Sequence, residues 1–408
     1  MRKQPSRTAV EIKPSGIRKF FDLASSMQGV ISLGVGEPDF DTPWHITEAG
    51  VESLANGQTH YTANRGLLTL RQEIAKFHKE HYGTEYDPEK EIIVTVGGSE
   101  GVDLCCRMLL EPGDEVIVLD PNYVAYEPSI LLQNAVPVFI ELKEENEFKL
   151  LPEDLKAAIT DKTKAIILNY PSNPTGGVMT REDYEKLVPN LKESGIFVIS
   201  DEIYAELTFD GEFASLAQFP ELRDQVIVIN GFSKAFAMTG WRLGYLLSCR
   251  ELSSLMLKIH QFVIMSAPTP AQHAAIEAMR HGYDDVLEMK KSYEQRRNLL
   301  VNRLNRMGLT TNMPHGTFYV FANIRQSGLS SDEFCTQLLE REKVAIVPGT
   351  AFGRHGEGFV RISYATSLDN IKKACEKIEH FLDELKAEQE ELAAEETLKI
   401  MEEIVEGI

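Results

Sequence analysis

Residues 226–247 read VIVINGFSKAFAMTGWRLGYLL. Two runs of apolar, largely β-branched residues, Val226–Asn230 and Leu243–Leu247, predict two buried strands, and the segment between them holds a single lysine, Lys234. A lysine on its own is most simply a solvated surface residue. Here Gly231 and Ser233 crowd it and its other neighbours are apolar, so the amine is expected to be partly desolvated and its pKa lowered, as imine chemistry requires. Arg242 follows eight residues later. Its planar fork suits bidentate contact with a phosphate, for which Ser233 offers a further donor.

Similar runs recur upstream at Ile92–Val96, Glu115–Leu119, Pro137–Ile140, Ala165–Leu168 and Ile196–Ser200, alternating with helix-like stretches. With the first two they predict an α/β domain built on a mostly parallel, seven-stranded sheet between helices. Several runs end in a polar or glycine-rich segment, and ligands of open α/β sheets bind at the carboxyl ends of strands. The texture changes before residue 48 and after about residue 286, towards longer helices and the strand-like GTFYVFANI, KVAIVPG and FVRISYA. The predicted organisation is an N-terminal arm and part of a small domain over 1–47, a large domain over 48–285, a smaller α+β domain over 286–385 completed by the N-terminal part, and an acidic helical tail over 386–408. The tail is read as an exposed terminal helix, with a partner-binding helix as the alternative.

Composition narrows the function. The chain of 408 residues has 43% hydrophobic and 25% charged residues, ordinary for a globular protein that needs no disulfides. Its five cysteines show no metal-like spacing, and no metal is expected; a reduced, cytoplasmic setting is the default. No apolar run is long enough for a signal peptide or a membrane span. A formal net charge of −20 disfavours nucleic acid and anionic lipid, although a local cluster of Arg, Lys and backbone N–H groups can still hold a small anion. The segment Gly34-Val35-Gly36-Glu37-Pro38-Asp39 lacks the third glycine of a dinucleotide fingerprint and has a proline where its helix should start, which argues against a dinucleotide-binding oxidoreductase. A regulator carrying an added DNA-binding module is disfavoured too, because the chain has neither spare length nor a basic segment for one.

Three further sites carry chemistry. Asp201 ends the run IFVIS, where an acid faces any ligand at the strand ends; the alternative is a helix N-cap for EIYAEL. VGGSEG is a glycine-rich turn opening a helix, so the backbone N–H groups of Gly98, Ser99 and Glu100 converge where an anion is favoured. Arg361 lies in the alternating run FVRISY, where an inward charge is costly unless a substrate carboxylate or a structural salt bridge pairs with it.

Nine segments in order resemble the landmarks of the pyridoxal 5′-phosphate (PLP)-dependent class I and II aminotransferases of fold type I: SLGVGEPDFDTP, HYTANRG, VTVGGSEG, DPNYVAY, YPSNPTGG, VISDEIY, NGFSKAFAMTGWRLG, PHGTFYVF and GFVRISYAT. The resemblance spans roughly residues 10–385 and is close to bacterial and archaeal aminotransferases, which implies an aspartate, alanine, aromatic or diaminopimelate-type amino acid as substrate. It implies PLP as cofactor, Lys234 as its Schiff-base partner and general base, and Asp201 on the pyridine nitrogen. It also implies Asn173 and Tyr204 at the 3′-oxygen, Tyr123 stacked on the ring, and Gly98, Ser99, Glu100, Ser233 and Arg242 around the phosphate. Tyr61 is implied to reach the phosphate of a neighbouring subunit in a homodimer, and Arg361, with Gly34, Tyr123 and Asn173, to bind the substrate. The implied reaction is ping-pong transfer of an amino group between an amino acid and a 2-oxo acid, with 2-oxoglutarate as a default partner. A carbon–sulfur β-lyase or an aminocyclopropane-carboxylate synthase would share the cofactor residues. Ser99 stands where aspartate-specialised relatives commonly have a lysine, and Tyr123 where they frequently have a tryptophan, so strict dicarboxylate specificity is not implied.

Overall fold

A computed structural model describes residues 3–14, 16–17 and 27–406. Its largest element is a seven-stranded sheet made of β2 (Ile92–Thr95), β3 (Glu115–Asp120), β4 (Val136–Glu141), β5 (Thr163–Asn169), β6 (Phe197–Asp201), β7 (Val226–Gly231) and β8 (Gly244–Leu247), in the order β2-β8-β7-β6-β5-β3-β4. All neighbours run parallel except at β8, which is antiparallel to both β7 and β2. β2, β7 and β8 are buried along their whole length, which is why they read as continuous apolar runs rather than as alternation. Helices cover the sheet, and apolar clusters fill both interfaces, one holding Ile166, Val198 and Val228, the other Ile167, Ile199 and Ile229.

The second layer system is smaller. β9 (Tyr319–Asn323), β11 (Val347–Pro348) and β12 (Phe359–Ser363) form an antiparallel sheet, while β1 (Ile31–Ser32) pairs in parallel with β10 (Val344–Ala345). The Ser363 N–H donates to the Leu33 carbonyl, so the segment after β1 runs beside β12. That contact brings residues 33–36 to the carboxyl ends of the large sheet.

The C-terminal helix, Leu368–Glu406, lays Ile371, Ala374, Ile378, Phe381 and Leu385 into the second core. Past that stripe, residues 386–404 are exposed, including Leu392, Leu398 and Met401. Among the described residues no helix is long and apolar enough to cross a membrane.

Candidate active site

The carboxyl ends of β2, β3, β5, β6 and β7 open on one edge of the large sheet, and a cavity of about 300 Å³ lies there, a volume suited to a small organic ligand. Lys234, on the loop after β7, points its Nζ into it and donates to the Gly36 carbonyl at 2.6 Å. Burial pushes this amine down to about 8, with the Arg361 charge adding to the effect and Glu37 opposing it. A lowered lysine pKa leaves a useful neutral fraction at physiological pH.

Asp201, the last residue of β6, is buried and lines the same cavity. Burial raises its carboxyl to about 6, although Oδ2 accepts from the Tyr126 hydroxyl at 2.7 Å and Oδ1 from the Ile203 N–H at 3.3 Å. That second contact is a local turn of the kind a helix cap would make, but the chain beyond it forms only the three-residue 3₁₀ turn Ala205–Leu207. Asn169, ending β5, ties the neighbourhood together: its amide donates to the Asp201 carbonyl and its Oδ1 accepts from the Asn173 N–H.

The helix Gly97–Leu109 begins at the cavity, with Gly98 and Ser99 in its first turn and lining the space. First-turn N–H groups have no intrahelical acceptor, and the helix dipole favours an anion there. Gly97 has φ +75°, and a Cβ on it would fall 2.7 Å from Arg242 Nη2. A side chain at 97 would thus fill the gap between helix and guanidinium. Arg242 is exposed at the rim, with φ +54° and Nη1 donating to the Thr239 carbonyl. A non-glycine residue in the left-handed region costs on the order of 1 kcal/mol, so this turn is held by its surroundings.

Arg361, in the middle of β12, is 2% exposed and among the largest side chains sealed from solvent. Nη1 donates to Asn173 Oδ1 at 2.9 Å and Nη2 to the Gly34 carbonyl at 2.7 Å, while the guanidinium lies between the Tyr319 and Phe352 rings at 4.2 and 4.7 Å. Its Nε is buried without a partner, and among the described residues no carboxylate forms a salt bridge with it. An unpaired buried cation is costly, and an anion entering the cavity would relieve that cost.

The cavity thus brings together Lys234, Asp201, Tyr204, Asn173, Tyr123 and Arg361 with Gly98, Ser99, Ser233 and Arg242. Gly34 stands behind it and acts through its carbonyl on Arg361. Glu100 turns away: its carboxylate accepts from the Val96 N–H and meets the buried His260. Tyr61 lies outside the lining and is 82% exposed.

The family described as "Aminotransferase class I and II" matches residues 28–378. The chain belongs to this family. This aminotransferase is 49% identical over 372 residues to the "Putative aminotransferase YugH" of Bacillus subtilis, covering 91% of this chain and 96% of that one. It is 44% identical over 378 residues to an aspartate aminotransferase of Pyrococcus abyssi, covering 92% and 97%. Among solved structures, an aromatic aminotransferase from Pyrococcus horikoshii superposes with a TM-score of 0.86 at 42% identity, covering 91% of this chain and 99% of that one. The fold is accordingly the aminotransferase fold type I expected from the landmark segments.

Three residues of the aminotransferase site are absent from the sequence-based set. Tyr126 touches Asp201, Tyr319 places its hydroxyl 3.0 Å from that of Tyr204 and its ring under Arg361, and Gly36 takes the Lys234 amine. Tyr126 and Tyr319 sit inside DPNYVAY and PHGTFYVF, so position in a landmark was the one signal that pointed to them.

Proposed function

We propose that this aminotransferase uses pyridoxal 5′-phosphate, with Lys234 as covalent anchor and proton carrier, to exchange an amino group between an amino acid and a 2-oxo acid in two half-reactions. The supporting observation is the unbalanced set of charges around one cavity: a lysine amine at about 8, a buried carboxyl at about 6, an exposed arginine beside a helix N-terminus, and a buried arginine without a counterion. A planar ring bearing an aldehyde and a phosphate fits that set. Lys234 would hold the aldehyde, Asp201 the ring nitrogen, and Arg242, Ser233 and the first-turn N–H groups from Gly98 to Glu100 the phosphate. When bound, the cofactor supplies an electron sink for the charge left at the substrate Cα.

The chain's own residues do the rest. Asp201 ionises beside a cationic nitrogen and keeps the proton there, and the Tyr126 hydroxyl stabilises that anion through a charge-assisted hydrogen bond. Lys234 Nζ, in its neutral form, takes the Cα proton and hands it back, which requires the lowered pKa. Asn173 and Tyr204 are assigned to the ring's 3′-oxygen, and Tyr123 to its face. Arg361 takes the α-carboxylate of every substrate, with Gly34 and Asn173 fixing its plane.

Tyr61, 82% exposed, suits a role in the phosphate site of a second copy, which makes the active unit a homodimer. Five free cysteines are compatible with the cytoplasm. Relatives of similar identity are named for aspartate and for aromatic amino acids, and Ser99 with Tyr123 does not commit the cavity to a second carboxylate. The amino donor is assigned to this range, diaminopimelate-type and alanine substrates included, with 2-oxoglutarate as the acceptor.

The test is a half-reaction screen. Protein loaded with pyridoxal 5′-phosphate is mixed with single amino acids, and conversion of the aldehyde to the amine form is followed by absorbance with release of the matching 2-oxo acid. Ammonia, a thiol and pyruvate released from an amino acid with a β-sulfur leaving group, with the cofactor left in its aldehyde form, would overturn the reading in favour of a lyase.

A further inference from the structure

Between the loop Ala235–Arg242 and the segment Glu37–Thr42 lies a contact that no catalytic role explains. The Thr42 hydroxyl donates to the Ala237 carbonyl at 2.7 Å and accepts from the Trp241 indole N–H at 3.0 Å. Ala237 and Arg242 both have left-handed φ, +52° and +54°, although neither is glycine. The Trp241 ring is itself wedged onto the helix Trp44–Ala55, where a Cβ on Gly50 would fall 2.6 Å from its ring carbons. A second clip, Thr239 Oγ1 to Glu37 Oε2 at 3.0 Å, joins the same two segments, and Arg242 Nη1 donates to the Thr239 carbonyl.

We propose that Thr42 is a positioning residue for the phosphate site: its hydroxyl bridges Ala237 and Trp241 and so holds the loop in the two left-handed turns that set the Arg242 guanidinium against Gly97. The inference rests on the assignment of Arg242 and the helix N-terminus at Gly97 to the phosphate. The physical basis is strain. A loop with two disfavoured backbone conformations relaxes unless something outside it fixes both ends of the distortion. Thr42 is the described side chain that contacts the loop on either side of Met238–Gly240 at once. Relaxation would move Arg242, whose side chain makes one hydrogen bond among the described residues, and leave Lys234 tied to Gly36 by a separate contact.

The experiment measures the affinity of the cofactor-free full chain for two probes, pyridoxal 5′-phosphate and pyridoxal, which differ only in the phosphate. Thr42→Val keeps the shape and removes both hydrogen bonds; it should weaken pyridoxal 5′-phosphate by about tenfold and change pyridoxal by less than about twofold. Thr42→Ser restores the hydroxyl and should bind both probes like the parent. Trp241→Phe, which removes the N–H together with part of the ring packed on Gly50, should show the same selectivity at roughly threefold or more, and provides the test if the valine variant does not fold. Equal weakening of both probes, or identical behaviour of the valine and serine variants, would overturn the inference. Arg242→Gln separates the two assignments. If it weakens pyridoxal 5′-phosphate selectively while Thr42→Val does not, only the role of Thr42 falls; if it does not, the phosphate assignment and the inference fall together.

Discussion

Arg297 and Arg361 are 4% and 2% exposed, and they solve the problem of a buried cation in different ways. Arg297, on the long helix Tyr283–Arg306, has Asp210 at 2.8 Å and the Pro314 carbonyl at 3.0 Å, and lies over the Phe209 ring. Its neighbour Arg296 is likewise paired, with Asp39. Arg361 has two neutral acceptors, two aromatic faces, an orphaned Nε and no described carboxylate. The same split separates Lys234 and Asp201, each shifted towards its neutral form by burial, from the ion pairs elsewhere. At Arg361, Lys234 and Asp201 the uncompensated groups line one cavity, where an incoming ligand can balance them, whereas Arg297 and Arg296 are balanced by carboxylates of the fold.

Lys234→Ala should disrupt the unbalanced set most completely. Turnover is expected to fall by at least about 10³-fold, because the proposed function gives one amine the roles of anchor and proton carrier, and the borohydride-fixed cofactor adduct should vanish. An adduct that survives would place the anchor on another lysine. Asp201→Asn comes next, with single-turnover loss of the Cα proton slowed roughly 10²–10³-fold while cofactor stays bound. An unchanged rate would mean that the carboxylate is not the ring nitrogen's partner.

Arg361→Met probes the contrast between the two arginines directly. The specificity constant should drop by roughly 10²-fold for every amino acid alike, the size expected when one partner of a buried charge pair is removed. The cofactor-free protein, relieved of an unpaired cation, should melt at the parent's temperature or above it. A loss confined to one substrate would move Arg361 from the common α-carboxylate to a side-chain pocket.

A smaller effect comes from the lysine's pKa. A group at about 8 instead of the usual 10.5 is about one-tenth neutral at pH 7, where an unshifted lysine would be neutral in only about one molecule in three thousand. Because the neutral amine attacks, capture of pyridoxal 5′-phosphate by the cofactor-free chain should rise about fivefold between pH 7 and 8 and level off above it. A rate still climbing at pH 10 would show that burial does not shift the amine. The stability sign agrees: between about 8 and 10.5 the unfolded chain holds the proton that the folded chain has lost, so this group's contribution increases with pH across that window.

The sheet was legible because fully buried strands leave uninterrupted apolar runs, and Ile92–Val96 overshoots β2 by only the residue that precedes the helix at Gly97. The direction of β8 was not legible, since a run such as Leu243–Leu247 has the same texture whichever way it pairs. Arg361 stood out as a charge inside an alternating run, but whether it met a salt bridge or a ligand depended on groups distant in sequence. Tyr126 reaches Asp201 across 75 residues, and Thr42 reaches Trp241 across 199. Neither partner carries a local pattern that announces the other, and Tyr61 entered through family resemblance alone.

Arg297→Met is the counterpart that could undo the contrast, and on activity its effect should be the smallest. Removing this guanidinium strands Asp210, but that carboxylate is 48% exposed and also has His315 at 3.0 Å, so water and the imidazole replace much of what is lost. The expected cost to stability is about 1–2 kcal/mol, below the roughly 3–5 kcal/mol of a fully enclosed pair. Asp210 sits below the usual carboxylate range because Arg297 and His315 hydrogen-bond to its anion, against the opposing effect of burial. Without Arg297 its folded pKa moves back towards the unfolded value, so the variant's deficit should be largest above the unfolded pKa and shrink as pH falls through the carboxylate range. Thermal melts from about pH 3 to 8, run beside the Michaelis constants, check stability and activity together. A variant with normal stability and raised Michaelis constants would mean that a balanced arginine also serves the substrate, and the division between structural and reserved charge would not hold.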